Sequence, residues 1–184
     1  MIRFATDKDL PQILAIYAPY VENTTASFEY EVPTPEEFRR RFSQITAQFP
    51  WLVWEEQGRI LGYAYASAPF ERAAYRWCAE PSIYLLPQAQ GRGIGRRLYA
   101  ILEDILRCQG YRLLYAIITS ENTGSLAFHR ALGYRHLADF PGCGWKHGRH
   151  LGITWMEKSL PFVEYPNTFP VPWFQIVEIA KIWP

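Results

Sequence analysis

The sequence has little of several features that mark whole classes of protein. Three cysteines, Cys78, Cys108 and Cys143, occur in 184 residues, and no C-x-x-C pair is present. An odd number of widely spaced cysteines predicts neither a disulfide framework nor a zinc site, and we expect no bound metal ion. Net charge is also nearly absent, because 19 basic and 18 acidic residues leave +1. This balance disfavours nucleic acid as the main partner.

Long apolar runs are absent as well. The least polar stretch, residues 60–70, is far shorter than the ~20 residues that a membrane-spanning helix requires. The first nine residues carry charges where a signal peptide needs its apolar run. We therefore expect a cytoplasmic protein with no membrane partner. Only four of the 19 basic residues are lysine, and the arginine majority favours forked contacts to anions.

The composition that is present predicts one globular domain with a distinct tail. Hydrophobic residues make up 49% and charged residues 20% of the chain, which is ordinary for a folded domain. We place the domain at residues 1–160 and an apolar, proline-containing tail at 161–184. The tail has to pack on its own domain or on a neighbouring subunit, and we expect a homodimer. Its apolar residues are Trp173, Phe174, Ile176, Val177, Ile179, Ile182 and Trp183.

Hydrophobic periodicity predicts the element order β-α-α-β-β-β-α-β-α-β-β. The helices are predicted to begin near Asp7, at the Thr34-Pro35-Glu36-Glu37 capping box, at Gly91 and at Asn122. Pro81 interrupts one predicted strand and indicates a bulge or an edge position. The order predicts an α/β fold with a mixed, mostly antiparallel central sheet and helices on both faces. The predicted strands cover residues 2–5, 51–56, 59–68, 77–86, 112–119, 134–140 and 150–160.

The most informative segment is Gln90-Gly91-Arg92-Gly93-Ile94-Gly95-Arg96-Arg97, between a strand and a long helix. Alternate glycines let the backbone approach a ligand closely, and the positive end of the helix dipole faces the same point. The segment therefore predicts a site for a phosphate-bearing ligand, with a merely tight strand-to-helix turn as the alternative. Its spacing matches neither the dinucleotide fingerprint G-x-G-x-x-G nor the Walker loop.

This segment resembles the R/Q-x-x-G-x-G/A loop with which GNAT N-acetyltransferases bind the pyrophosphate of acyl-CoA. The similarity covers about residues 1–160 and is greatest to the phosphinothricin/methionine-sulfoximine acetyltransferase branch. The other motifs that carry it are Trp51-Leu52-Val53, Gly62-Tyr63-Ala64-Tyr65-Ala66, Ala79-Glu80-Pro81-Ser82-Ile83-Tyr84-Leu85, Asn122-Thr123-Gly124-Ser125, Phe128-His129-Arg130-Ala131-Leu132-Gly133-Tyr134 and Gly144-Trp145-Lys146-His147-Gly148.

The resemblance implies acetyl-CoA as the cosubstrate. It places the acetyl carbonyl and the pantetheine arm along one strand, with a backbone N–H near Leu85 polarising the carbonyl. Asn122 and Ser125 are expected to bind pantetheine, although both also suit a helix start. The residues implied to bind acetyl-CoA are Ile83, Tyr84, Leu85, Gln90, Gly91, Arg92, Gly93, Ile94, Gly95, Arg96, Asn122 and Ser125.

The resemblance also implies two catalytic residues. Glu80 stands where related enzymes keep the carboxylate that takes the amine proton, and burial beside Trp77 would raise its pKa. The alternative for Glu80 is a salt bridge with Arg72 or Arg76. His129 stands where many GNAT enzymes have tyrosine, so it can protonate the departing thiolate or orient the thioester.

The acceptor side departs from the branch pattern. Phe28, Glu29, Arg72 and Tyr75 are expected to bind the substrate, and Lys146 to add a further charge. The branch reads aromatic, Lys/Arg, any residue, Arg, two small residues, Tyr before the catalytic strand. Here the run over residues 70–75 is one residue shorter and lacks the first cation. A doubly anionic acceptor such as phosphinothricin is therefore less well matched.

Together these residues predict transfer of an acetyl group to the α-amine of a small amino-acid-like compound, by direct attack. Acetylation of protein or peptide N-termini is an alternative, which an open acceptor groove would favour. A non-catalytic acyl-CoA-binding module is another alternative. The presence of both Glu80 and His129 counts against that module, because it would need no acid or base.

Overall fold

The computed structural model describes residues 1–161 and 169–176. Within them, the predicted order of strands and helices is confirmed. The strands are β1 (Ile2–Phe4), β2 (Trp51–Glu56), β3 (Arg59–Ser67), β4 (Cys78–Leu85), β5 (Leu113–Thr119), β6 (Arg135–Lys146) and β7 (Arg149–Ser159). The helices are α1 (Leu10–Asn23), α2 (Pro35–Thr46), α3 (Ile94–Gln109) and α4 (Thr123–Ala131). No helix in the described part of the chain is long and apolar enough to cross a membrane.

The strands form one mixed sheet in the order β1-β2-β3-β4-β5-β7-β6, and the predicted fold class is confirmed. The β4–β5 pair is parallel, and its neighbours in the sheet pair antiparallel. The parallel pair is very short, because only Cys78 and Ala79 of β4 are in register with Leu113 and Leu114 of β5. Beyond this point the two strands diverge, and a gap opens in the middle of the sheet.

Helices cover both faces of the sheet because alternate residues of each strand point to opposite sides. On one face, α3 presents an apolar stripe at helical spacing to buried residues of β2 and β3 such as Leu52 and Ala64. On the other face, α1 and α2 pack on Trp51, Val53 and Tyr63. The stripe of α3 consists of Ile94, Leu98, Ile101, Leu102, Ile105 and Leu106, each at most 9% exposed.

Two predicted boundaries differ from the structure. The helix predicted from Gly91 begins at Ile94, because Gly91 and Gly93 have φ of 72° and 77°, which is not helical backbone. Strand β6 was predicted to end at residue 140 and continues to Lys146. Two register shifts carry the glycine-rich segment through the strand, and the turn falls at His147-Gly148.

Pro81 lies in β4, which is an interior strand of the sheet. At Pro81, however, β4 is paired only with β3, because its pairing with β5 ends at Ala79. Pro81 pairs with Ala66 of β3, and the N–H of Leu86 bonds the carbonyl of Leu61 on the same strand at 2.9 Å. Since successive backbone N–H groups alternate in direction, the nitrogens of Pro81, Ile83 and Leu85 face away from β3, into the gap. A residue without an N–H is tolerated there because no strand stands opposite it.

The described part of the tail packs on its own chain. The Trp173 ring lies 4.2 Å from that of Phe4, and its indole N–H donates to the carbonyl of Thr46 at 2.9 Å. The side-chain amide of Gln109 donates to the carbonyl of Val171 at 2.7 Å. The other apolar tail residues singled out from the sequence, Val177, Ile179, Ile182 and Trp183, lie outside the described residues.

Candidate active site

The gap between β4 and β5 opens into a cleft of about 530 Å³. Its walls come from β4, from β5, from the N-terminal half of α3 and from α4, with Tyr20 of α1 and Ala26 beside them. Both residues predicted to be catalytic and all those predicted to bind acetyl-CoA, except Arg92, border this cleft. The divergence of two strands has therefore brought together residues that are up to about 50 positions apart in the sequence.

The turn into α3 offers unpaired backbone N–H groups at one end of the cleft. Gly93 precedes the helix in the left-handed region, and the N–H of Arg97 makes the first bond back to its carbonyl, at 3.2 Å. The N–H groups of Ile94, Gly95 and Arg96 come before that bond and have no intrahelical partner. They lie at the positive end of a 16-residue helix. This end of the cleft can therefore bind an anion.

The three arginines of this segment have different surroundings. Arg96 borders the cleft. Arg92 points away to the β2–β3 hairpin, where its guanidinium lies 2.8 Å from the carboxylate of Glu56. Arg97 lies over the ring of Trp54, 5.8 Å from the centroid. In this structure, then, only Arg96 of the three adds formal charge beside the cleft.

The unpaired edge of β4 meets Tyr20 of α1. The hydroxyl of Tyr20 donates to the carbonyl of Leu85 at 2.5 Å and lies 3.4 Å from the Leu85 nitrogen. The side-chain amide of Gln90 also reaches this hydroxyl, at 3.4 Å. Sequence analysis missed Tyr20, because an aromatic residue on the inner face of an amphipathic helix gives no signal beyond core packing.

Glu80 lies in the cleft without an ionic partner. Its side chain points from β4 to the α1–α2 side, and among the described residues no arginine, lysine or histidine forms an ion pair with it. The alternative of a salt bridge with Arg72 or Arg76 is therefore not found. Burial raises the pKa of Glu80 to about 7. A carboxyl group with this pKa can accept and release a proton at neutral pH.

Both ring nitrogens of His129 are engaged by hydrogen-bond partners. Nδ1 lies 2.8 Å from the carbonyl of Ser125, and Nε2 lies 3.1 Å from the hydroxyl of Tyr99. Since a carbonyl only accepts, Nδ1 carries the hydrogen. Burial lowers the pKa of His129, which favours the neutral ring, and Nε2 shares the Tyr99 hydroxyl with the carbonyl of Pro81, 3.2 Å from the same oxygen. Of the two roles considered for His129, this geometry favours orientation over proton donation to a thiolate.

Asn122 and Ser125 form the start of α4. The side-chain oxygen of Asn122 accepts from the backbone N–H of Ser125 at 3.1 Å, which caps the helix. Both residues also border the cleft. Their helix-start role is thus observed, and it uses the side-chain oxygen of Asn122 and not its amide N–H groups.

Comparisons with known proteins agree with this arrangement. The family model described as an acetyltransferase (GNAT) domain matches residues 2–155. The chain belongs to the GNAT acetyltransferase family. It is 42% identical to the phosphinothricin N-acetyltransferase of Alcaligenes faecalis, over 86% of this chain and 82% of that protein. It is 38% identical to an L-methionine sulfoximine/L-methionine sulfone acetyltransferase of Pseudomonas paraeruginosa, over 86% and 94%.

A solved structure has the same fold. The GNAT superfamily phosphinothricin acetyltransferase from Sinorhizobium meliloti, in complex with AcCoA, superposes with a TM-score of 0.85 at 39% identity. The match covers 93% of this chain and 92% of that one. The chain is therefore an acetyltransferase, as its sequence predicted.

The residues predicted to bind the acceptor lie around the cleft in this GNAT acetyltransferase and do not border it. Phe28 and Glu29 belong to residues 24–30, which follow α1 and which we call the acceptor loop; Ala26 of this loop does border the cleft. Arg72 and Tyr75 are exposed on the β3–β4 connection. Among the described residues, Arg72 has no ion pair.

The negative charges of Glu29 and Glu80 both raise the pKa of Tyr65 and of Tyr84. Burial is the main cause that raises the pKa of Tyr65, to about 12, and the negative charges of Glu80 and Glu29 add to it. Tyr84 is affected in the same direction by the same causes. Both carboxylates therefore lie within electrostatic range of Tyr65 and Tyr84. Glu29 is also paired with Arg41, at 2.5 Å.

Lys146 was expected to add a charge for the substrate, and the structure places it elsewhere. Its side chain is buried, with Nζ 2.6 Å from the carbonyl of Val21 and 2.6 Å from that of Ser27. Both acceptors are backbone groups, one in the last turn of α1 and the other in the middle of the acceptor loop. The ammonium group of Lys146 therefore forms hydrogen bonds inside the protein and does not border the cleft.

Proposed function

We propose that this chain transfers the acetyl group of acetyl-CoA to the amine of a small amino-acid-like acceptor of the methionine sulfoximine or phosphinothricin type. One observation carries the proposal. A carboxyl group with a pKa near 7, in Glu80, and the N-terminus of α3 border the same cleft. The cleft thus combines a base for an amine with an anion-binding end.

Acetyl-CoA fits the groups that this cleft offers. Its diphosphate suits the N–H groups of Ile94, Gly95 and Arg96 at the helix start, with the Arg96 guanidinium adding charge. Its pantetheine arm carries amide groups, and the unpaired edge of β4 offers backbone partners at Ile83 and Leu85. The acetyl end then reaches the part of the cleft beside Glu80. Arg92, the one residue of the predicted acetyl-CoA set that does not border the cleft, contributes only if it leaves Glu56.

The proposed reaction is direct attack. Glu80 takes one proton from the ammonium group of the acceptor, and the neutral amine then forms a C–N bond with the thioester carbonyl carbon. The backbone N–H of Leu85 stabilises the oxyanion that develops, once it leaves the Tyr20 hydroxyl that it contacts at 3.4 Å. The C–S bond breaks with its electron pair on sulfur, and the second amine proton passes to this thiolate. Glu80 releases its proton to solvent, so the products are the N-acetyl compound, CoA thiol and one proton.

This scheme needs no protein acid, which agrees with the surroundings of His129. The neutral ring, held by Ser125 and Tyr99, forms part of the wall beside the acetyl group. We therefore assign His129 an orienting role. The thiolate of CoA is a stable leaving group near neutral pH, so the proton that it takes from the nitrogen of the tetrahedral intermediate is sufficient.

The acceptor's carboxylate is proposed to bind Arg72. This guanidinium is exposed and has no ion pair among the described residues, so it can make a forked contact. Phe28, Glu29 and Tyr75 complete the acceptor side. With one free cation in the 70–75 segment, methionine sulfoximine, which has one acidic group, suits the site better than the doubly anionic phosphinothricin.

A homodimer is the proposed assembly. Strand β6 is at one edge of the sheet and exposes three large apolar side chains, Leu137, Phe140 and Trp145, at 45%, 46% and 50%. An exposed apolar edge strand favours pairing with another chain. Light scattering should give twice the 21.5 kDa chain mass, and a monomer at micromolar concentration would contradict the proposal.

Thiol release from acetyl-CoA, measured with a panel of amines, tests the proposed function. We expect release with methionine sulfoximine, weaker release with phosphinothricin and the weakest release with amines that lack a carboxylate, such as the carboxamide of methionine sulfoximine. Release only with peptides would instead support acetylation of N-termini. Binding of acetyl-CoA without turnover on any amine would overturn the proposal and support a non-catalytic acyl-CoA-binding module.

A further inference from the structure

Residues at the end of the β6–β7 hairpin contact the acceptor loop. Lys146 is the last residue of β6 and is 3% exposed. One of its two carbonyl partners, Val21, lies in the last turn of α1, where carbonyls have no intrahelical partner. The other partner, Ser27, immediately precedes Phe28. A single buried ammonium group therefore ties the end of a helix to the loop that follows it.

The residues before Lys146 add two contacts of a different kind. The ring of Phe28 lies so close to Gly144 that a Cβ atom there would be 2.2 Å from the ring. Only glycine leaves room for the ring at this position. The hydroxyl of Tyr30 donates to the carbonyl of Trp145 at 2.6 Å. Three consecutive hairpin residues, 144–146, thus each contact the acceptor loop. We call these contacts, together with the bond from Lys146 to Val21, the clasp.

The role of Lys146 is not that of an ion-pair partner. Among the described residues it forms no salt bridge. Burial lowers the pKa of Lys146, and the negative charge of Glu29 partly offsets this shift. A buried cation satisfied only by carbonyl groups is costly to form, so its bonds have to be well placed. Its two bonds of 2.6 Å join the end of α1 to the middle of the acceptor loop.

We infer that Lys146 is a positioning residue that sets the affinity for the amine acceptor, by holding Phe28 and Glu29 of the acceptor loop beside the cleft. This inference rests on the proposed amine acetylation. The link to the cleft is Ala26, a loop residue that forms part of its wall. The acetyl-CoA end of the cleft shares no residue with the clasp. Loss of the clasp contacts should therefore change the affinity for the acceptor and not the affinity for acetyl-CoA.

The test is steady-state kinetics of Lys146→Met with methionine sulfoximine as the varied acceptor. We expect the KM for the acceptor to rise about tenfold or more, from loss of charge-assisted bonds, while the KM for acetyl-CoA changes less than about twofold. Lys8→Met is the matched control, since Lys8 is exposed on the turn before α1. It should leave both KM values unchanged.

Two further variants keep the test valid if Lys146→Met folds poorly. Tyr30→Phe removes only the bond to Trp145 from a side chain that is 70% exposed, and should raise the acceptor KM about twofold to fivefold. Gly144→Ala should displace Phe28 and act in the same direction. Limited chymotrypsin digestion gives a readout without activity, because a released loop should be cut at Phe28 or Tyr30.

The outcomes separate the two proposals. If the wild-type protein acetylates no amine, the proposed function fails. If the wild-type protein is active and folded Lys146→Met and Tyr30→Phe keep the wild-type acceptor KM and protease resistance, the clasp has no positioning role and the inference is wrong. An equal rise in the KM for acetyl-CoA would likewise overturn it, because the whole cleft would then be disturbed.

Discussion

Tyr99 and His129 meet in the wall of the cleft, with the tyrosine hydroxyl 3.1 Å from Nε2 of the imidazole. Tyr99 is fully buried, and its hydroxyl also lies 3.2 Å from the carbonyl of Pro81. The pair joins α3, α4 and β4 at the point where the sheet divides. Its bonds leave neither ring nitrogen free for a thiolate.

The first prediction concerns the pH profile of kcat. If His129 supplied a proton to the thiolate, activity would fall as pH rises through its pKa, because the protonated ring is lost. With a neutral His129, we expect kcat to rise with pH and not to fall again between about pH 6 and pH 9. Tyr99→Phe should lower kcat by about tenfold or less without shifting the pH of this rise. A descending limb that disappears in His129→Asn would contradict the assignment.

The second prediction concerns the turn into α3. Gly93→Ala places a side chain at φ of 77° and should lower the free energy of unfolding by about 1–2 kcal/mol. Gly58→Ala is the matched control, since Gly58 has φ of 76° and, like Gly93, no atom within 4 Å of an added Cβ. Urea unfolding should show similar losses for both. Only Gly93→Ala should raise the KM for acetyl-CoA, and equal KM values would remove the turn from the binding site.

The third prediction concerns Arg72. Arg72→Gln should raise the KM for methionine sulfoximine about tenfold, because a charge-assisted forked contact to the carboxylate is lost. Arg76→Gln is the control, since the Arg76 guanidinium lies over the ring of Phe169, at 5.1 Å. The carboxamide of the same acceptor should show no difference between Arg72→Gln and wild type. A similar loss with the carboxamide would show that Arg72 acts on the fold.

The fourth prediction concerns stability. Burial raises the pKa of Glu80 from 4.5 to about 7, so the folded protein holds this proton more tightly than the unfolded chain. Ionisation of Glu80 therefore opposes folding, and stability decreases as pH rises from about 4.5 to 7. At pH above this window Glu80→Gln should raise the Tm by about 3 °C, and below it the two proteins should match. Calorimetry at both ends of the window checks this, and a lower Tm for the variant at high pH would contradict it.

The sequence predicted the element order and fold class because its helices and strands carry clear periodicities and end signals. The stripe of α3 and the capping box of α2 illustrate this, since Thr34 does accept from the N–H of Glu37, at 3.2 Å. The limits of β6 were less predictable. A run of proline and glycine over residues 141–144 is typical of a loop, but pairing with β7 carries it through the sheet with two register shifts.

The candidate site was predictable where it depends on local backbone. The phosphate segment is such a case, because its glycines and the helix start are adjacent in the sequence. Contacts between distant residues were not predictable, such as Arg92 with Glu56, Tyr20 with Leu85, and Lys146 with the acceptor loop. Each depends on how strands and helices pack, and a single sequence gives no signal for which charged side chain turns inward.

The central claim is that Glu80 is the base for amine attack, and the pH dependence of kcat/KM for thiol release tests it most directly. For the wild-type protein with methionine sulfoximine, we expect kcat/KM to fall as pH decreases through about 7, because protonation removes the base. Glu80→Gln should lose about 100-fold or more of kcat, lose this inflection and still bind acetyl-CoA. Retention of wild-type turnover and the same inflection by Glu80→Gln would contradict the account.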